Sequence, residues 1–359
     1  MTTNSLEIKL TTVTPIWTGG PDGKSNRLHI TGIMGSLRWW YEALIRGVGG
    51  HACDPSKHTC IYDPEKPHYG LCDVCLIFGA TGWARRFKLI ISEDKLQPRK
   101  PAASTIDASG RRVFTLSDDH PVTNHPRPRW YLSSDPLGGD LTLQITVTGP
   151  LDTEGKQPFD PKIIAALIQF IADWASIGAK PQMGLGVVRL ANRQSTQPLL
   201  EHLQQVVATH EKNNDGKTYD DYDELPSLHN MFFARVRVDK TPATESDTFD
   251  LKYDLRGDFR ETFKDDHLRH TIMGTVRGSR QGAKIMMSYP YDNGTIRIWG
   301  WIPKLTRSNV SRNEIMNEIY YFLEDTYGAN NLSFWLDFDP NKYDSMLAYL
   351  GQHFLKEAA

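Results

Sequence analysis

The segment from residue 141 to residue 190 constrains the fold more than any other part of the chain. Apolar residues alternate strictly with polar ones from 141 to 147, which is the pattern of a half-buried strand. Asp160-Pro161 then opens a helix that is apolar on nearly every side, and Gly178 ends it. A helix without a polar face is expected in the protein interior. A short strand at 187–190 completes the unit.

The elements around this segment follow the order β-α-β-β-α-β. A strand at 6–11, an amphipathic helix at about 32–46 and a strand at 87–91 come before it. A polar stretch at 200–228 is interpreted as a linker, and the order then returns. The second set comprises a strand at 231–238, a weak helix near 259–269, a hairpin across Asp292-Asn293-Gly294, a helix opened by the capping box of Ser311 and Glu314, and a strand at 332–338.

We therefore predict an α+β fold in which two ferredoxin-like (RRM-like) βαββαβ domains pack together. The N-terminal domain covers 1–200 and carries loop insertions at about 50–82 and 94–139. The C-terminal domain covers 201–359 and ends in an extra helix at about 341–354.

Composition limits how this chain can bind a partner. It has 359 residues and a formal net charge of -2, so any attraction to nucleic acid must come from local basic patches. No stretch of about 18 apolar residues exists, and residues 1–9 lack an apolar signal core, so we expect a cytoplasmic protein without membrane contact.

A glycine-rich loop joins the apolar helix to the strand at 187–190. Gly178, Gly184 and Gly186 would let the backbone approach a phosphate chain, and Lys180 would add a positive charge. A tight helix-to-strand turn explains the same glycines equally well.

Charge distribution favours the phosphate hypothesis. Three windows, 24–41, 174–200 and 267–291, contain no acidic residue, and each coincides with a glycine-rich loop. Chance explains any one window, but less easily all three. The predicted RNA contacts in these windows are Lys24, Arg27, His29, Arg38, Lys180, Arg277, Arg280 and Lys284.

Trp39 is predicted to point away from the apolar face of the first helix, beside Glu42 and Arg46. In that position Trp39 could stack on a base, with Arg46 as a further RNA contact. A protein interface or a covering insertion would suit an outward tryptophan equally well.

All four cysteines lie within one insertion, with the spacing Cys53-x6-Cys60-x11-Cys72-x2-Cys75. Four thiolates are the ligand set of a structural zinc site, although only one pair has the usual two-residue gap. His58 or His68 could replace one cysteine. Unliganded thiols in a loop are the alternative.

Catalytic motifs are weak in this sequence. Gly23-Lys24-Ser25 ends like a phosphate-binding P-loop, but the first glycine of that motif is missing and no helix follows. His29 is a candidate general base for attack by an RNA 2′-hydroxyl, although a simple contact with RNA or backbone is the favoured interpretation.

Four segments resemble the RAMP superfamily of CRISPR proteins: TPIWTGG (14–20), ITGIMGSLRWWYE (30–42), CDVCLIFG (72–79) and MGLG (183–186). The Arg-Trp-Trp helix and the early Thr-Gly-Gly are similar to the first subunit of type III-B Cmr effector complexes. The resemblance is strong from 6 to about 190 and rests on element order alone beyond that.

The resemblance implies a subunit at the end of a complex away from the 5′ tag of the guide RNA. There it would help hold the 3′ region of the guide and the target RNA, beside other RAMP subunits, while a different subunit cleaves the target. The leading hypothesis is thus a non-catalytic RNA-binding subunit. The alternatives are a metal-independent, guide-processing endoribonuclease using His29 and a purely architectural subunit.

Overall fold

The computed structural model of the protein describes residues 5–54, 56–57, 59–92, 95–122, 127–149, 159–213, 224–276, 278, 280–305 and 307–355. It has the mixed α/β architecture, with antiparallel sheets, that the sequence predicts. Among the described helices, none is both long enough and apolar enough to cross a membrane.

The elements follow one another along the chain with these bounds. The strands are β1 (Ser5–Thr12), β2 (Phe87–Ser92), β3 (Gln97–Pro98), β4 (Ser104–Ile106), β5 (Arg112–Phe114), β6 (Trp130–Leu132), β7 (Leu137–Gly138), β8 (Asp140–Val147), β9 (Val188–Leu190), β10 (Met231–Arg237), β11 (Ile285–Met287), β12 (Thr295–Trp301) and β13 (Leu332–Asp337). The helices are α1 (Ile30–Gly47), α2 (Asp73–Phe78), α3 (Lys162–Trp174), α4 (Gln197–Asn213), α5 (Glu245–Phe263), α6 (Asp266–Met273), α7 (Arg312–Tyr327) and α8 (Met346–His353).

The first sheet has the strand order β2-β8-β1-β9, and every neighbouring pair is antiparallel. In β8 the buried side chains are Leu141, Leu143, Ile145 and Val147, the four that alternate in the sequence. Helix α3 is buried along 163–172 because it offers no polar face to solvent. The chain order β1-α1-β2-β8-α3-β9 is the order predicted for this half.

The second sheet has the strand order β11-β12-β10-β13, again antiparallel throughout. The predicted hairpin joins β11 to β12, and Asp292, Asn293 and Gly294 all have positive φ at its turn. Ser311 and Glu314 form the predicted capping box of α7.

Two helices predicted for the second half differ from those of the structure. The weak helix near 259–269 is two helices, because a capping box of Thr244 and Asp247 starts α5 much earlier. The last helix begins at Met346, where Ser345 caps it, rather than at 341.

The predicted linker is wrong over its first part. Residues 197–213 form α4, whose Leu199, Leu203 and Val206 are buried at helical spacing. The predicted domain boundary at 200 therefore falls inside a helix. Helix α4 packs on α3 and α8, so one hydrophobic core runs through both halves of the chain.

The insertion at 94–139 contributes two small sheets, β3-β7 and β4-β5-β6. Phe114 and Leu132 from this insertion pack with Phe249 of α5 and with Met183 and Leu185 of the glycine-rich loop. The loop is therefore held from both sides, by the insertion and by the second half.

Candidate nucleic-acid interface and metal centre

The three acid-free windows meet at one pocket of about 460 Å³, which we call the tryptophan pocket. Its lining combines α1, the glycine-rich loop and the β11–β12 hairpin, and it includes no acidic residue. The lining residues are Gly32, Gly35, Ser36, Trp39, Trp40, Ser176, Gly178, Ala179, Pro181, Gly282, Ala283, Lys284, Met286, Trp299 and Trp301.

Trp39 lies in this pocket and is only partly exposed. Its ring packs edge-on against buried Trp40, with 4.8 Å between the ring centroids and an interplanar angle of 83°. The predicted outward orientation is therefore corrected: the side chain leans on the core and presents its remaining surface to the pocket.

Two lysines of these windows have no carboxylate partner among the described residues: Lys284 lines the pocket, whereas Lys180 lies outside its lining. Lys284 Nζ donates to the carbonyl oxygen of Thr271 at 2.8 Å and lies 5.3 Å from the Trp301 ring centroid. Lys180 Nζ lies 4.4 Å from the Trp17 ring centroid. Burial lowers the pKa of both amines. Within the described residues, neither ammonium has a carboxylate oxygen within 4.0 Å, so no described carboxylate neutralises either charge.

Gly178 is the predicted loop glycine that reaches the pocket. Its φ of 95° is in the left-handed region, and a Cβ there would come within 2.9 Å of the Trp17 carbonyl oxygen. Glycine is therefore required here by the close approach to Trp17, and Gly178, Ala179 and Pro181 line the pocket.

Gly184 and Gly186 are buried, and the prediction that they contact RNA is wrong. Their N–H groups donate to the carbonyl oxygens of Pro181 and Pro15, at 3.1 and 2.8 Å. A Cβ on Gly184 would lie 2.3 Å from the Tyr289 ring. These two glycines are required by a tight turn, which was the alternative interpretation of the loop.

The segment between β1 and α1 carries three further predicted contacts, which lie outside the pocket lining. Lys24 and Arg27 are exposed to solvent. His29 is the N-cap of α1 and is partly buried, and its backbone N–H donates to Thr18 Oγ1 at 2.8 Å. Its Nε2 is buried without a hydrogen-bond partner, packed so closely that a Cβ on Gly20 would lie 2.8 Å away. In this arrangement Nε2 is enclosed by the chain.

Arg38 and Arg46 turn away from the pocket toward the cysteine-bearing insertion. Arg46 is 3% exposed and donates to the carbonyl oxygens of Pro226 and Cys53, so its predicted RNA contact is wrong. Arg38 Nε donates to Glu42 at 2.9 Å, and its Nη2 lies 3.3 Å from Cys75 Sγ. Burial opposes the charge, but these hydrogen bonds outweigh it and raise the pKa of Arg38. The guanidinium therefore bonds Glu42 and a thiol, and its side chain is 27% exposed.

The last two predicted contacts belong to the loop before β11. Arg280 is exposed. Arg277 lies outside the described residues.

The four cysteines form a compact buried cluster. Their Sγ atoms all lie within 4.8 Å of one another, and those of Cys53 and Cys75 are 3.7 Å apart. Four sulfurs about 2.3 Å from a central zinc ion would be about 3.8 Å apart in a tetrahedron. Hydrogen bonds from the Cys72 and Cys75 thiols lower the pKa of Cys53. The donor set and spacing therefore fit a tetrahedral metal ion; His58, an alternative ligand, lies outside the described residues.

Sequence reasoning missed the contribution of β12 to the pocket. Trp299 and Trp301 are two residues apart on one strand and both reach the lining. That spacing was visible in the sequence, but only the register of β12 against β11 places the pair beside Lys284.

A second cleft of about 550 Å³ lies between the halves and holds Arg189, Arg193, Arg235 and Arg297. Arg189 is paired with Asp292, and Arg193 with Asp173. Arg235 and Arg297 donate to main-chain carbonyls at the C-terminal end of α3. Because Asp173 and Asp292 line this cleft and pair with two of its arginines, the tryptophan pocket is the stronger candidate for binding an anionic ligand.

Comparison with known proteins gives a family and a set of distant structural similarities. The family model of the RAMP superfamily matches residues 9–189. The chain is similar to the crystal structure of Cmr1 from Pyrococcus furiosus in its apo form, at 13% identity over 90% of this chain and 97% of that one, with a TM-score of 0.42. It is also similar to a chain of a type III-B Cmr-beta complex bound to cognate target RNA, at 12% identity over 88% and 99%, with a TM-score of 0.40. No protein with a curated description matches it. Since the family model spans half of the sequence, the chain belongs to the RAMP superfamily.

Proposed function

We propose that this chain is a non-catalytic RNA-binding subunit of a type III-B CRISPR Cmr complex. In the cytoplasm it would help hold the 3′ region of the guide RNA together with single-stranded target RNA, beside other RAMP subunits. The observation that carries the proposal is the meeting of three acid-free segments, from both halves of the chain, at the tryptophan pocket. RAMP membership and the Arg-Trp-Trp segment of α1 support it.

The electrostatics of the pocket and of Lys180, whose two chain neighbours line it, favour a phosphate ligand. Lys180 and Lys284 are partly desolvated and lack carboxylate partners among the described residues. A phosphate beside them would supply the missing negative charge, which is more stabilising where water is partly excluded. A chain with a net charge of -2 can bind RNA through such a face because each phosphate contact acts locally.

The proposal includes the architecture of two ferredoxin-like domains. Each sheet places the first and third strands of its βαββαβ unit in the middle, with the fourth strand beside the first and the second beside the third. This common order supports the assignment of both halves.

Equilibrium binding of a fluorescent single-stranded RNA, measured by anisotropy between 50 and 200 mM salt, tests the RNA-binding role. If both lysines contact phosphates, the logarithm of the association constant should fall linearly with the logarithm of salt concentration, by a slope of at least about 1.4. Absence of binding, or binding without salt dependence, would refute the proposal.

Incubation of the same protein with CRISPR repeat RNA in EDTA tests the absence of catalysis. We expect intact RNA, because His29 Nε2 is enclosed. Specific cleavage that disappears in His29→Ala would instead establish the guide-processing ribonuclease.

We propose in addition that Cys53, Cys60, Cys72 and Cys75 hold a structural zinc ion. The four cysteine sulfurs lie in one compact cluster and would supply a complete set of protein ligands. The Arg38 guanidinium places a positive charge beside these sulfurs. Bound zinc would staple the 50–82 insertion to α1. Elemental analysis should find one zinc per chain, lost in Cys72→Ser. A metal-free native protein with four reactive thiols would contradict this assignment.

A further inference from the structure

One face of α1 lines the tryptophan pocket with three small residues beside Trp39. Gly32, Gly35, Ser36 and Trp39 follow one another at helical spacing and all line it. A Cβ added to Gly35 would meet no atom within 4 Å, and the same is true of Gly282 across the pocket. Neither glycine has a positive φ or a close neighbour that requires it. The lack of a side chain at these two positions leaves open space and is not required by a contact within the chain.

The lining of the pocket combines aromatic surface with a single charge. Trp40 and Trp299 are each 2% exposed, whereas Trp39 and Trp301 remain partly exposed. Ser36 and Ser176 add hydroxyl groups, and among the described lining residues only Lys284 carries a charge. A volume of about 460 Å³ exceeds that of a single flat ring system and lies within the usual range for small-molecule pockets.

We infer that the tryptophan pocket binds one unstacked nucleobase of single-stranded RNA. The base would lie on the tryptophan surface with its edge toward the serine hydroxyls, while Lys284 contacts an adjacent phosphate. Indole rings stack on any base, and an ammonium beside them matches the phosphate that accompanies every base. This inference rests on the proposed RNA-binding function and names the part of the RNA that the pocket takes.

Gly35→Leu tests the inference by filling the pocket. Leucine has a higher helix propensity than glycine, so α1 should not be weakened. Loss of one stacked base should reduce RNA affinity about 5- to 150-fold. The salt dependence should remain nearly unchanged if the lysine–phosphate contacts persist. Gly257→Leu is the matched control, because Gly257 also lies inside a helix, has no atom within 4 Å of an added Cβ and does not line the pocket.

Trp39→Leu and small ligands provide a second measurement that does not depend on filling the pocket. Adenosine monophosphate should quench tryptophan fluorescence and compete with RNA, whereas ribose 5-phosphate, which has no base, should do neither. Trp39→Leu should weaken both effects of the nucleotide.

The possible failures are distinguishable. Salt-dependent RNA binding that Gly35→Leu and Trp39→Leu leave intact would refute the base pocket while the proposed function stands. Complete absence of RNA binding in wild-type protein would refute both. If Gly35→Leu blocks assembly with the other subunits but not RNA binding, the pocket holds a protein side chain and the inference is wrong.

Discussion

Replacing Lys284 by methionine should remove one phosphate contact together with the hydrogen bond to the Thr271 carbonyl. Lys284 Nζ has three N–H donors, and one of them bonds the Thr271 carbonyl, so two remain for a ligand. Methionine keeps an apolar stem against Trp301 but carries no charge. For single-stranded RNA, loss of one phosphate contact lowers the slope of log association constant against log salt concentration by about 0.7. Over a fourfold change in salt, this corresponds to a change of about 2.6-fold in the ratio of wild-type to variant affinity.

Anisotropy titrations at four or more salt concentrations between 50 and 200 mM measure this slope. Lys342→Met is the matched control, since it removes the same charge from an exposed lysine that pairs with Asp339 and does not line the pocket. The double variant Lys180→Met/Lys284→Met should lower the slope by about 1.4. A Lys284→Met slope equal to that of wild type, in a protein with an unchanged melting temperature, would show that this ammonium does not meet a phosphate.

Three further predictions concern stability. Gly184→Ala should destabilise the fold by on the order of 2 kcal/mol, measured by urea unfolding, because φ is 88° and the new Cβ meets the Tyr289 ring; an unchanged midpoint would contradict the turn assignment. Burial, with a smaller effect of Arg256, lowers the pKa of Lys252 to about 8. Between about pH 8 and pH 10.4, the unfolded chain therefore keeps the Lys252 proton while the folded chain has lost it. Wild-type stability should therefore rise relative to Lys252→Met between those pH values, and parallel pH profiles would refute the shift. Arg46→Met should cost about 1–3 kcal/mol in thermal or urea unfolding, with no change in the RNA salt slope, because the buried carbonyls of Pro226 and Cys53 lose their donor while Glu42 keeps Arg38.

Hydrophobic periodicity predicted most of the fold. The alternation in β8 predicts a strand with one buried and one more exposed face. Helix α3 has no polar face to turn toward solvent, so it is predicted to be buried. Helix α4 was not predicted, because it has few apolar residues, Leu199, Leu203 and Val206 among them, and many polar ones. Only packing on α3 and α8 makes that narrow stripe significant.

The candidate site was predictable as a set of segments but not residue by residue. Acid-free windows identified α1, the glycine-rich loop and the β11 region, which the structure brings to one pocket. Charge alone could not tell Lys284, which faces the pocket, from Arg38, which faces the thiols. Helix phase distinguishes them only when the position of the cysteine insertion is known.

Photo-crosslinking of 4-thiouridine-containing RNA within the assembled complex, followed by mass spectrometry of the crosslinked peptides, tests the central claim most directly. Crosslinks should concentrate in three peptides that contain Trp39, Lys180 and Lys284, and they should decrease in Lys180→Met/Lys284→Met. Crosslinks confined to the cleft of Arg189 and Arg193, or no crosslinks to this chain when the complex carries its RNA, would contradict the account.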